Sequence, residues 1–97
     1  MWKQVESQYN LHRVNIMQEE DETPIIQIDL HQMTCREARK TLNNLIALYR
    51  FGFKLDIIHG YNHGTALRDM IRCDYKNKRI IGMMFPHNQG RTVLEIA

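Results

Sequence analysis

Asp29 and His31 stand two residues apart where an apolar run ends, in IDLHQMT, residues 28–34. A second apolar run ends at His59, in DIIHGYNHGTALRDM, residues 56–70. It passes at once into a turn built of Gly60, Tyr61, Asn62, His63 and Gly64. Histidine changes charge near neutral pH, so it can carry a proton to or from a reacting group. A glycine turn ahead of a helix offers backbone amides and the positive end of a helix dipole to an anion such as a phosphate. Arg68 falls in the first turn of the helix expected after Gly64 and can pair with the same phosphate. The chemistry these residue types suggest is acid–base work on a phosphate-bearing ligand.

The elements around them must bring the two run-ends together. IIQIDL (25–30) is short, apolar and β-branched, as a buried strand should be. Thr34 and Glu37 form the T-x-x-E pattern that closes both ends of a helix start on each other. Ala38, Leu42, Leu45, Leu48 and Tyr49 then recur at helical spacing, and Gly52 sits where a C-cap is expected. KLDIIH (54–59) predicts a second strand, and TALRDMIRCDY (65–75) a second helix with Ala66, Leu67, Met70 and Ile71 on its apolar stripe. RIIGMMF (79–85) and RTVLEIA (91–97) predict two more strands, joined by the hairpin-length PHNQG.

The order is β-α-β-α-β-β. A strand–helix–strand unit this short makes its two strands parallel, through a right-handed crossover. The closing hairpin is antiparallel. The expected fold is therefore α/β: a two-layer α/β sandwich with a mixed four-stranded sheet and both helices on one face. In a parallel pair the carboxyl ends of the strands share one side of the sheet, where ligands of α/β proteins bind. Asp29, His31 and His59 then share a cleft. Asp29 and His31 also point to the same face while the strand stays extended.

Composition bounds the rest. The 97 residues suggest one folded domain, residues 24–97, behind an acidic leader, residues 1–23, that is at most partly ordered. A short helix or edge strand near residues 9–17 is possible within the leader. The net charge of +2 hides an asymmetry: two basic and five acidic side chains in 1–23, against eleven basic and six acidic in 24–97. A mildly basic body suits a phosphate-bearing partner. The opposite charges would let the leader fold back on that body and screen it. Cys35 and Cys73 make no metal-ligand spacing, and a reduced, cytoplasmic setting is expected. The first residues predict no signal peptide, and no apolar run approaches the ~20 residues of a membrane span. The oligomeric state stays open, with a monomer favoured.

Two stretches carry a resemblance. IDLHQMTCREA (28–38) is similar to the first motif of the Smr (small MutS-related) domain, an apolar strand, D-L-H-G and a helix containing E-A. IIHGYNHGTALR (57–68) is similar to its second motif, a strand ending H-G, further glycines and L-R; GRTVLEI (90–96) resembles its closing strand. The chain departs from the pattern at Gln32 and Asn62, both at family glycine positions, and has one extra residue before L-R. The resemblance spans about residues 25–97. It implies a sandwich similar to the C-terminal domain of translation initiation factor three. It also implies binding of DNA or RNA, with endonuclease activity in several members.

Carried onto this chain, it implies catalytic roles for Asp29, His31 and His59, with one histidine removing a proton and the other returning it. Gly60, Tyr61, Asn62, His63, Gly64 and Arg68 would hold phosphate or nucleic acid. On this reading, His59→Ala abolishes cleavage and spares folding. Two alternatives stand beside it. One is a DNA- or RNA-binding module without catalysis. The other is a divalent metal ion held by Asp29, His31, His59 and His63, as in a metal-binding hydrolase.

Overall fold

The computed structural model describes residues 3–5, 14–18, 23–60 and 64–97. Six strands form one sheet among these residues: β1 (Lys3–Val5), β2 (Val14–Gln18), β3 (Pro24–Asp29), β4 (Phe53–Ile58), β5 (Ile80–Met84) and β6 (Arg91–Ile96), in the order β1-β2-β3-β4-β6-β5. Helix α1 (Cys35–Leu48) crosses between β3 and β4. Helix α2 (Ala66–Asp69) follows β4 and widens into a π-helical turn, Met70–Asp74. The mixed four-stranded sheet with two helices expected for residues 24–97 is present. β3 and β4 are parallel, while β4–β6 and β5–β6 are antiparallel. Beyond it, β2 runs antiparallel along β3 as far as Ile28, from Val14 opposite Ile28 to Gln18 opposite Pro24. β2 overlaps the span where an edge strand was expected, but β1 pairs along its outer side.

Alternation along each strand assigns the faces. Ile26 and Ile28 of β3, Phe53, Leu55 and Ile57 of β4, and Leu94 and Ile96 of β6 point into one core. The helices close that core with Ala38, Leu42, Leu45 and Ile46 from α1 and Met70 and Ile71 from the π-helical turn. Each Ile, Leu, Phe and Met among them contributes about 1.5–3 kcal/mol on leaving water. Leu48, expected on the buried stripe of α1, is 45% exposed, and Ile46 takes its place. Ala66 is exposed as well, because regular helix is confined to one turn there. No helix among the described residues is long and apolar enough to cross a membrane. Cys35 and Cys73 are free thiols.

α1 starts as its sequence demands. The Thr34 hydroxyl accepts from the Glu37 amide at 3.1 Å, and the Glu37 carboxylate accepts from the Thr34 amide at 3.0 Å. Its end is different from the glycine cap expected. The helix stops at an extended Tyr49, and Gly52 instead makes room for the β6 terminus, since a Cβ there would lie 3.2 Å from the Ile96 carbonyl. Arg79 gathers carbonyls at and just past the end of α1. Its guanidinium donates to the carbonyls of Ile46, Tyr49 (2.7 Å), Phe51 (3.0 Å) and Ala97 (2.9 Å). α1 has no basic residue in its own last turn, so Arg79 supplies the cation that a helix C-terminus favours.

Replacing Arg79 with Ala should therefore cost about 2 kcal/mol and lower Tm by roughly 10 °C. Arg79→Lys should recover only part, because an ammonium cannot fork to several carbonyls at once. Thermal unfolding of both variants checks this; an unchanged Tm for Arg79→Ala would contradict the assignment.

Candidate functional site

One end of the sheet gathers the chemically competent residues. The register sets Asp29 beside Ile58 and Ile58 beside Arg91, so the ends of β3 and β4 and the start of β6 lie together. The end of β5 joins them, because Met84 pairs with Val93. The turns after β3 and β4 come close to each other. A Cβ placed on Gly60 would lie 3.7 Å from the His31 Cβ. The ends of the two runs therefore meet, at Asp29 beside Ile58 and at Gly60 near His31, while the His59 ring is buried against Thr92. Tyr61, Asn62 and His63 lie outside the described residues.

Asp29 and His31 form a pair at the surface. One carboxylate oxygen of Asp29 accepts from the His31 amide at 3.0 Å and contacts the His31 Nδ1 as well. The side chains of His31 and Asp29 are 48% and 34% exposed, so a ligand can reach both. With Nδ1 turned to the carboxylate, Nε2 is the nitrogen through which this ring would exchange a proton with a ligand. A carboxylate that orients an imidazole and stabilises its protonated form is a recurrent device in proton transfer.

The backbone that presents His31 bends sharply. Leu30 donates its amide to the Ile58 carbonyl at 2.7 Å, which continues the parallel ladder by one bond. The Met33 amide then returns to the Leu30 carbonyl at 3.0 Å, closing a turn over His31 and Gln32. Gln32 has φ +70°, the left-handed region that glycine adopts at no steric cost. The turn keeps a glycine-like backbone although the residue is Gln.

His59 occupies a different environment from the one expected of a proton carrier. It is 4% exposed, and both ring nitrogens are engaged. Nδ1 is 2.8 Å from the Gly60 carbonyl, which can only accept, so Nδ1 carries the proton. Nε2 then accepts from the Thr92 hydroxyl at 2.8 Å, and that hydroxyl accepts from Arg72 Nε at 2.9 Å. Arg72 also donates to the Arg91 carbonyl at 3.1 Å. Burial holds the His59 pKa below the ordinary histidine value; the nearby Arg72 and Arg68 act in the same direction, and the bond to Gly60 acts against it. The result is a neutral, oriented imidazole that fixes the turn after β4.

The turn's amides are also partly committed. The His59 and Gly60 amides both donate to the Gly90 carbonyl, at 2.9 and 3.0 Å. Gly60 at φ +74° and Gly64 at φ +110° take conformations that favour glycine. Gly60 thus lies close to His31 in a conformation suited to glycine, and its own amide is turned to Gly90 rather than to a ligand. The helix dipole expected after Gly64 is small, because α2 is a single turn and Thr65 makes no side-chain cap. Arg68 Nε lies 3.3 Å from Asp69 Oδ1, so its charge is shared with a neighbouring carboxylate. Among the described residues no three His, Cys, Asp or Glu side chains group as a metal site. The engaged ring of His59 does not fit a ligand set.

Arg72, Thr92, Arg91 and Asp56 escaped the sequence reading. Arg91 grips the 3%-exposed Asp56 through two nitrogens, with Nε 3.1 Å from Oδ1, and Gln27 donates to Asp56 Oδ2 at 3.0 Å. A charged residue inside the apolar strand KLDIIH was the available signal, since a buried carboxylate requires a partner. Arg72 gave no such signal, because helical spacing alone does not say that it reaches back to β6. No known family model matches the chain, and no curated protein matches it.

Two outcomes are expected. A histidine whose pKa is depressed by folding supports the native state fully above the unfolded value of about 6.5, and that support falls away as pH drops below it. Tm should fall between about pH 7 and pH 5. His59→Gln, although less stable at pH 7, should show a flatter profile, whereas a parallel profile would contradict the buried neutral ring. Gln32→Gly should relieve left-handed strain of about 1–2 kcal/mol against an unfolded-state entropy cost of roughly 0.5–1 kcal/mol. A Tm higher by a few degrees is expected, and a lower one would mean that the Gln side chain holds the turn.

Proposed function

We propose that this chain is a nucleic-acid-binding domain of the Smr type that cleaves phosphodiester bonds, with Asp29 and His31 as its acid–base pair. The observation that carries the reading is the approach of its two motif turns: an exposed carboxylate–imidazole pair, with Gly60 so near that a Cβ there would lie 3.7 Å from the His31 Cβ. The basic side chains Arg68, Arg72 and Arg91 surround that end of the sheet and favour an anionic ligand.

In this mechanism His31 Nε2 takes a proton from water, or from a ribose 2′-hydroxyl if the strand is RNA. The oxygen attacks phosphorus as the opposite P–O bond breaks. The leaving oxygen gains its proton from the His31 imidazolium or from solvent. Asp29 stabilises the imidazolium in between. Arg68 offsets the charge that builds on the phosphate. His59 takes no proton in this scheme. It holds the Gly60 turn against His31.

A second reading, binding without cleavage, draws on the same burial of His59, which leaves His31 as the one accessible histidine of the catalytic set drawn from the sequence. One experiment separates the two. Wild type, His31→Ala and His59→Ala are incubated with supercoiled plasmid and with labelled single-stranded RNA, each with magnesium and with chelator. Cleavage by wild type and its loss in His31→Ala at unchanged Tm are expected. His59→Ala should lose about 2 kcal/mol of stability, since the Gly60 carbonyl and the Thr92 hydroxyl proton each lose their partner. Salt-sensitive binding without products would establish the binding module instead. Absence of both binding and products would refute the proposal.

A further inference from the structure

The open face of the sheet, opposite the helices, carries a cleft of about 430 Å³. Its apolar walls are Ile25, Val93, Met84 and Pro86, and Phe85 stands at its rim. Lys54, Arg91 and Asp56 line it too, with the Arg91 guanidinium paired to the Asp56 carboxylate. The volume lies within the range of ligand pockets.

Phe85 is the unusual residue. It is 61% exposed, although no strand or helix requires an aromatic there. The Arg72 guanidinium lies over its ring, 4.5 Å from the centroid. That guanidinium is itself fixed by Thr92 and by the Arg91 carbonyl. The ring is therefore held by a cation on one face while it lines the cleft. The same Arg72 joins it, through Thr92, to His59 and the Gly60 turn. Asp29 and Arg91 lie on the same face of the sheet with Ile58 between them, so the cleft begins two strand spacings, roughly 10 Å, from the Asp29–His31 pair.

We propose that this cleft seats an unpaired base of a single strand, stacked on Phe85, while the adjoining backbone lies at Asp29 and His31. The inference rests on the nucleic-acid reading above and adds to it the form of the strand. Every base presents a π-face, so stacking on a fixed aromatic ring tolerates any sequence. A duplex keeps its bases stacked on one another and offers none to Phe85. An apolar peptide side chain would fill the walls but would have to bury the rim beside Lys54 and Arg91. A base can leave its polar edge toward them.

The test uses the full chain and fluorescence anisotropy with a labelled single strand, the same strand carrying abasic sites, and the matching duplex. Phe85→Ala and Phe85→Tyr are compared with wild type, and Tm is measured for each. Loss of the stacked base should weaken binding about ten- to a hundred-fold, whether by Phe85→Ala or by the abasic strand. The two changes together should weaken it no further than either alone. Phe85→Tyr should bind as wild type does, and Phe85→Ala should keep the wild-type Tm. Equal affinity of wild type for intact and abasic strands, or unchanged affinity of Phe85→Ala, would overturn the stacking site and leave the nucleic-acid reading standing. Failure of wild type to bind any of the three probes would overturn both.

Discussion

The parallel register of β3 and β4 governs the candidate site. Asp29 lies beside Ile58, and the next amide, Leu30, still bonds to the Ile58 carbonyl. Both strands therefore end at the same height, and both turns leave on the same side. A parallel pair requires a crossover, which α1 supplies, and α1 can lie on only one face if its apolar stripe is to meet Ile26, Ile28, Leu55 and Ile57. The opposite face of the sheet is left to Asp29, Lys54, Asp56 and Arg91. The division between a packed face and a chemical face follows from one pairing.

The second constraint is the polar chain that runs from Arg72 through Thr92 and His59 to the Gly60 carbonyl. Each donor in it meets an acceptor, which is the condition for burying such groups in an apolar setting. It ties the π-helical turn, β6 and the end of β4 into one block. Gly90 adds to it by accepting from both the His59 and Gly60 amides. The two histidines thus divide their work by burial. His59 shapes the turn, and His31, half-exposed against Asp29, faces the ligand.

Much of the fold was legible in the sequence because local signals agreed with one another. Thr34 and Glu37 mark the start of α1, β-branched runs mark β3 and β4, and PHNQG is short enough to force a hairpin. The strands before residue 23 were not legible. Their pairing with β3 is an edge relation that periodicity in VNIMQ does not announce. The cap at the end of α1 was missed because Arg79 comes from 30 residues further along the chain than Tyr49. At the site, the sequence set Asp29 beside His31, but not through the strand alternation it suggested: β3 ends at Asp29, and the Leu30–Met33 turn brings His31 back to the carboxylate. It could not tell His59 from His31. Both follow an apolar run, and only the tertiary positions of Thr92 and Arg72 bury one of them. The left-handed Gln32 was equally hidden, because residue type argued against a conformation that the Leu30–Met33 turn imposes.

The central claim is that His31 meets the ligand and His59 does not. The most direct measurement is the nitrogen-15 NMR spectrum of the imidazole rings at neutral pH, recorded while a short single-stranded oligonucleotide is added. The account predicts that the His31 ring signals move on addition, while His59 keeps the pattern of a neutral ring protonated at Nδ1, unmoved by the strand. A His59 ring that shifts or gains a proton as the strand binds, with His31 unchanged, would contradict it.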